Sequence, residues 1–484
     1  MNVFVKKKIS SILFTFIFAF CSIIFSMLFA ILFTVSSNAW DNHTEITYLA
    51  LKDEVAIANI DVATESLNSF LEKEQAHLPI ILEEVENWAK INVPNYPPTP
   101  EDIKFKFKFN TNRPHSQLVK EFLYGIRVNP QLTFPLFMQL TADRSHSNGP
   151  TISSKEISII PVEDLQFERV NEGELLPALD IISTASNEPD YGMDVGLFNE
   201  SNTDFSKRYG LGQQPFGNSK LLYGDQAPFH MGFFHQNWIV NLAAAKYTQH
   251  SLVEYRIKLF ATLANFAFER RHFYWGLRFW GWALHYLQDL AQPYHASLLP
   301  GVSALKILAL NLFNLSQKIA DQITIISNHH LILENYLFHA LKKYSLAHEF
   351  NHPLLHALAS NSNSNSNRNR NRNSDEQKFQ QISFLNWARQ IISKEAYEKG
   401  NAVDLVIRTA FPSKYVKDPN YSFSVSEPAF DTQKFLEKNY PQKECEVEKI
   451  LIERMQAVGE ITRSLVKEII LKQLSMHHAI STNQ

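Results

Sequence analysis

The stretch Phe273-Tyr-Trp-Gly-Leu-Arg-Phe-Trp-Gly-Trp-Ala-Leu-His285-Tyr-Leu-Gln-Asp289-Leu-Ala-Gln-Pro293-Tyr-His295 decides how the rest of the chain is read. Apolar residues recur at three- and four-residue spacings from Ser251 to Leu290, which predicts helices. On a helix His285 and Asp289, four apart, project from one face. Pro293 ends or kinks that helix near Ala291 or Gln292, and the change of direction can return His295 to the same cavity. A bare HxxxD also fits a helix with two satisfied histidines and a surface carboxylate. Here Trp280, Trp282, Leu284, Leu287 and Leu290 make the helix a buried one, and a buried Asp beside two His needs partners. Metal is the economical partner, and imidazole with carboxylate suits zinc. The aromatic run before His285 could stack bases or face a membrane, but on a helix leading into ligands core packing is the simpler reading.

Working outward, Asn328-His329-His330-Leu-Ile-Leu-Glu334-Asn335 repeats the geometry, with His330 and Glu334 four apart within the helical pattern of 303–348. Alone the pair also fits a capped, solvated helix start; two such pairs within fifty residues favour a polynuclear metal site. Helical spacing also marks Thr44–Ile60, Ser66–Lys90, Phe384–Lys399 and Glu446–Met476. Four prolines interrupt Ile91–Pro100, and the alternating Lys104-Phe-Lys-Phe-Lys-Phe109 predicts a short strand or hairpin, packing its Phe face inward or touching anionic lipid. Asn361–Ser374 is Ser/Asn then Arg/Asn repeat, a solvated loop within a helical domain; a low-complexity loop is expected over 360–376.

Composition agrees. The 484 residues are 45% hydrophobic, enough for a large core, and carry only 15 Gly against 36 Phe. Scarce glycine disfavours an all-β sandwich or barrel, so the expected fold is all-α, one multi-helix domain. A formal charge of −3 provides no field to draw the chain onto nucleic acid. No GxxxxGK phosphate loop occurs, so nucleotide-driven phosphoryl transfer is unsupported.

The N-terminus reads as an export signal. Lys6, Lys7 and Lys8 precede 27 nearly unbroken apolar residues, Ile9–Val35, and Ser37-Asn-Ala39 offers small residues for cleavage before Trp40. The apolar run is also long enough to span a bilayer, so a retained anchor is the alternative. Cleavage removes three lysines and no acids, taking the charge from −3 to −6. It leaves Cys445 as the lone cysteine, with no intramolecular disulfide. The expected location is secreted or periplasmic, or membrane-anchored if the leader stays.

With the HxxxDxxxxxH motif, the following HxxxE and Trp40 at the expected mature terminus, the chain resembles bacterial zinc-dependent phospholipase C, related to the single-strand-specific zinc nucleases of fungi and plants. The resemblance covers the N-terminus, about 180–340 and, weakly, Leu451–Ile470. It implies an all-helical protein holding three zinc ions in a cleft, with the free amine and carbonyl of the N-terminal Trp among the ligands. Carried onto this sequence, it implies Trp40, His43, Asp190, His230, His285, Asp289, His295, His330 and Glu334 as ligands. Asp289 would bridge two ions, and Asp190 would serve as both ligand and general base. His43 stands unusually close to Trp40; Asp180 and Asp194 compete with Asp190, and His235 with His230. Tyr191, beside Asp190, is implied as a substrate contact for a choline head group, which favours the lipase branch. Segment 92–180 and the Asn/Ser/Arg loop read as insertions outside the pattern.

The function implied is hydrolysis of a phospholipid phosphodiester to diacylglycerol and a phosphorylated head group, with phospholipid or a membrane surface as partner and no obligate protein partner. A zinc nuclease or 3′-nucleotidase, with nucleic acid as substrate, is the alternative in chemistry. A non-enzymatic, membrane-anchored zinc-binding protein is the alternative in class.

Overall fold

The computed structural model describes residues 42–108, 114–144, 149–162, 164–217, 224–312, 316–360, 383–423 and 430–474. The leader, Trp40 and the Asn361–Ser374 repeat lie outside the described residues. Among those described, no helix is long and apolar enough to cross a membrane.

The fold is all-α. In chain order its principal elements are α1 (His43–Leu51), β1 (Asp61–Ala63), α2 (Leu67–Glu74), α3 (Leu78–Asn92), α4 (His115–Gly125), β2 (Phe137–Gln139), β3 (Phe167–Arg169), β4 (Leu175–Pro177) and α5 (Ala178–Asn187). There follow α6 (Ala227–His230), α7 (Trp238–Ala243), α8 (Val253–Glu269), α9 (Phe273–Leu290), α10 (Pro293–Ala296), α11 (Ala304–Leu312), α12 (Ser316–Leu346), α13 (Pro353–Ala359), α14 (Lys394–Ala410) and α15 (Pro441–Leu465). The strands form only two antiparallel pairs, β1 with β4 and β2 with β3.

Helix α9 is the axis of the molecule, packed between α5 and α8. Its aromatic run is core: Trp275, Trp280 and Trp282 are all buried. The helix approaches α5 closely because Gly281 faces it; a Cβ there would lie 2.5 Å from Ala185 Cβ and 3.0 Å from the Ile182 carbonyl oxygen. Gly281→Ala should therefore force the two helices apart and destabilise the fold by about 1–3 kcal/mol, the usual cost of overpacking. Chemical denaturation would measure it, and an unchanged midpoint would show that this contact yields freely.

Directly after α5, a 3₁₀ turn Glu188–Tyr191 carries Asp190, and it is clamped onto α9. The Arg278 guanidinium donates to Glu188 Oε1 at 3.0 and 2.7 Å, and Trp282 Nε1 donates to Glu188 Oε2 at 2.6 Å. Gly192 closes the turn at φ +104°, where a Cβ would strike Ile159. All three groups of the clamp are buried, and both Glu188 carboxylate oxygens are satisfied by it, which is what lets the ion pair persist out of water.

The strand expected over 104–109 is not formed in its described part, which has no ladder partner. Phe105 is buried against Phe122, their rings 5.8 Å apart, whereas Phe107 is 44% exposed. The alternation therefore does not sort the described Phe side chains onto one inward face. Segment 92–180 supplies Phe105, Leu118, Phe122 and Leu123 to the main core and is continuous with it.

Candidate metal centre

The nine expected positions can be followed through the structure, Trp40 excepted because it lies outside the described residues. The other eight converge. His43 opens α1, Asp190 sits on the 3₁₀ turn, and His230 ends α6. His285 and Asp289 lie on α9, His295 on α10, and His330 and Glu334 on α12. Their ligand atoms form three groups that could hold metal ions: His43, His285 and Asp289; Asp190, His230 and His285; and His295, His330 and Glu334. The first two share His285, so they are adjacent.

Asp289 stands at the middle. Its Oδ2 lies 2.7 Å from His230 Nδ1 and 3.3 Å from His285 Nε2. Its Oδ1 lies 3.5 Å from His43 Nε2 and 3.7 Å from His295 Nδ1. Asp190 faces the same space, with Oδ1 at 3.6 Å from His285 Nε2 and Oδ2 at 3.9 Å from His43 Nε2. In the third group Glu334 Oε1 is 2.5 Å from His330 Nε2, and the His295 and His330 rings meet edge to face. The break at Pro293 does return His295 to the face of His285 and Asp289, since α9 stops at Leu290 and α10 restarts at Pro293.

Three of the five imidazoles, those of His43, His285 and His230, are oriented from behind, as metal-ligating histidines are. His43 Nδ1 meets Gln288 Oε1 at 2.7 Å, and Gln288 Nε2 donates to Thr47 and to Thr462 of α15, both at 3.0 Å. His285 Nδ1 meets the Ser186 carbonyl at 2.9 Å. His230 turns Nε2 towards Asp194 Oδ2 at 3.3 Å. Glu334 Oε1 accepts from Gln292 Nε2 at 3.0 Å. Sequence reasoning missed Gln288 and Gln292; the available signal was a neutral amide on an otherwise apolar, buried segment beside ligand positions.

The competing residues go elsewhere. Asp180 is bound by Arg144 at 3.2 and 2.8 Å. Asp194 belongs to buried Arg256 and to Tyr286, whose hydroxyl donates to it at 2.7 Å, so it acts by positioning His230. His235 Nε2 meets the Arg389 carbonyl at 2.7 Å, away from the cluster. The expected substrate contact at Tyr191 is corrected: the ring is 1% exposed, packed on Phe137 and Phe167. Its hydroxyl donates to Gln139 and accepts from Asn187 Nδ2 at 3.0 Å. Asn187 Oδ1 in turn accepts the His43 backbone N–H at 2.8 Å. Tyr191 thus braces the turn that seats His43 and cannot meet a head group.

The electrostatics call for cations. Burial disfavours a charged His43, but Asp289 and Asp190 outweigh it and raise its pKa. Burial is likewise outweighed at His230, which Asp194 and Asp289 push up to about 10. Burial prevails at His285, which lies well below its ordinary value, and at His295, which falls to about 3. Burial opposes ionisation of Asp289 too, yet the four imidazoles around it together hold it well below the carboxylate range. Proton affinity is therefore pushed up at some imidazoles and down at others around one carboxylate. Divalent ions would let every imidazole serve as a neutral ligand and would compensate the carboxylates together. A donor set of imidazole and carboxylate, without thiolate, fits zinc. His43, Asp190, His285 and Asp289 have fully buried side chains, and the cluster's wettest edge is His330, 12% exposed.

Comparisons with known protein families, with characterised proteins and with solved structures find no match.

Proposed function

We propose that the chain is an exported, zinc-dependent phosphodiester hydrolase acting on phospholipid, a phospholipase C. One observation carries the reading: two ligand groups share His285 and meet at Asp289, while Asp190 faces both. A paired cation site with a carboxylate turned into it suits attack of water on a phosphodiester. When bound, zinc supplies positive charge that polarises a phosphoryl group and acidifies water. The chain's own part is to hold that geometry. Asp289 fixes the spacing of the paired groups, Asp190 orients the water and accepts its proton, and Gln288, Ser186 and Asp194 keep the imidazoles turned inward.

Trp40 enters through export. Cleavage after Ala39 would give Trp40 a free amine two residues before the described chain, whose first helix begins at His43. N-terminal sequencing of the exported protein should read Trp-Asp-Asn-His; a fully active protein that begins elsewhere removes Trp40 from the ligand set.

The reading is tested by assaying purified mature protein on phosphatidylcholine and on single-stranded DNA, each with and without chelator. Chelator-sensitive release of diacylglycerol supports it. Chelator-sensitive hydrolysis of DNA alone makes the protein a nuclease, and inactivity on both with metal bound makes it a binding protein.

A further inference from the structure

Two ligand segments leave the metal cluster side by side. The chain after His230 is tied to the chain around His295: Gly232 N–H donates to the His295 carbonyl at 2.9 Å, and Gln236 Nε2 to the Ala296 carbonyl at 2.8 Å. The first segment then runs into α7 and the second into α11, and these helices pack on each other through buried Val240, Ala244 and Ile307. Their outward side is also apolar. Trp238 and Leu242, one turn apart on α7, are each 72% exposed, and Leu305 on α11 is 71% exposed. Helix α11, Ala-Leu-Lys-Ile-Leu-Ala-Leu-Asn-Leu, has two polar residues in nine. Large apolar side chains exposed on one side of helices whose other side is already packed need a second apolar medium.

Along the sequence, the two segments that carry this patch hold charge of one sign. Between Asp225 and Glu254 there is no acidic residue and one lysine, Lys246. Between Asp289 and Asp321 there is again none, with Lys306 and Lys318. In a chain whose acids outnumber its bases, two carboxylate-free stretches meet at one apolar patch. Exposed Trp and Leu on segments whose sequence carries lysines and no carboxylates are what an anionic bilayer surface accepts.

We propose that α7 and α11 form the docking surface by which the protein lies on an anionic phospholipid bilayer, Trp238, Leu242 and Leu305 entering the interface. The choice of lipid as occupant rests on the phospholipase reading. It gives the patch a purpose, because the docked helices are continuous with the segments that carry His230 and His295.

The test uses the intact mature protein, mixed in the cold with sucrose-loaded vesicles of phosphatidylcholine, with and without phosphatidylserine, and sedimented. The protein should bind, more tightly with phosphatidylserine, and added salt should weaken only that increment. Trp238→Ser/Leu242→Ser/Leu305→Ser should weaken binding by about thirtyfold or more, since three large side chains lose their apolar burial. Its melting temperature should not fall, because the replaced side chains are exposed. On a short-chain phosphatidylcholine kept below its micellar concentration, the triple variant should hydrolyse as the wild type does. Unchanged vesicle binding by the triple variant overturns the proposal. So does a wild-type dimer that the substitutions convert to monomer without any vesicle binding, which assigns the patch to a second copy. Patch-dependent vesicle binding without hydrolysis of the short-chain lipid would leave the docking surface standing and remove the phospholipase reading.

Discussion

Asp289→Asn should strip the protein of more than one of the three metal ions proposed for it and abolish turnover. The carboxylate lies within 3.7 Å of four imidazoles, those of His43, His230, His285 and His295. An amide of the same shape has one oxygen to offer and no charge, so it cannot serve two neighbouring ions at once. The third group contains neither Asp289 nor any residue of the paired groups and should stay loaded. Glu334→Gln provides the converse: it should cost chiefly the ion of His295 and His330. Metal analysis of the two folded variants checks both, and equal losses from each would mean that the groups are not separate sites.

Asp190→Asn should separate chemistry from binding. Asn keeps the shape of the turn, and the Arg278–Glu188–Trp282 clamp that fixes it is untouched. If Asp190 orients water and accepts its proton, turnover falls by about 10² to 10⁴, the usual share of general acid–base catalysis. Zinc should be retained at two ions or more, since most ligands remain. Should Asp190 instead do no more than cap the turn after Pro189, the substitution costs roughly 1 kcal/mol of stability and leaves turnover intact. Zinc content, melting temperature and turnover measured on one preparation distinguish the two. Near-wild-type turnover here, with Asp194→Asn inactive, would transfer the role to the carboxylate beside His230.

What the sequence reveals of this centre depends on how local each relation is. His285 with Asp289 and His330 with Glu334 are legible because four residues on a helix always share a face. The return of His295 is legible because proline cannot continue a helix. Choosing among Asp180, Asp190 and Asp194 is a different problem, since all three lie within fifteen residues in similar company. They are sorted by arginines that only the fold delivers: Arg144 to Asp180 from 36 residues away and Arg256 to Asp194 from 62. The same non-locality defeated the reading of Tyr191. Its neighbour is the proposed base, but Phe137 and Phe167 arrive from the β2–β3 pair and enclose it. The Lys/Phe alternation misled because period two describes a strand only when another strand supplies the ladder, and none does in its described part. The all-α class was legible throughout, since scarce glycine and long apolar periodicity hold over most of the chain.

The most direct test of the account is the zinc content of the folded protein, beginning at Trp40, after exhaustive dialysis against metal-free buffer. Three ligand groups, two of which share His285, predict about three zinc ions per chain, released together with activity by a strong chelator. Fewer than one zinc per folded chain, with activity intact, would contradict it.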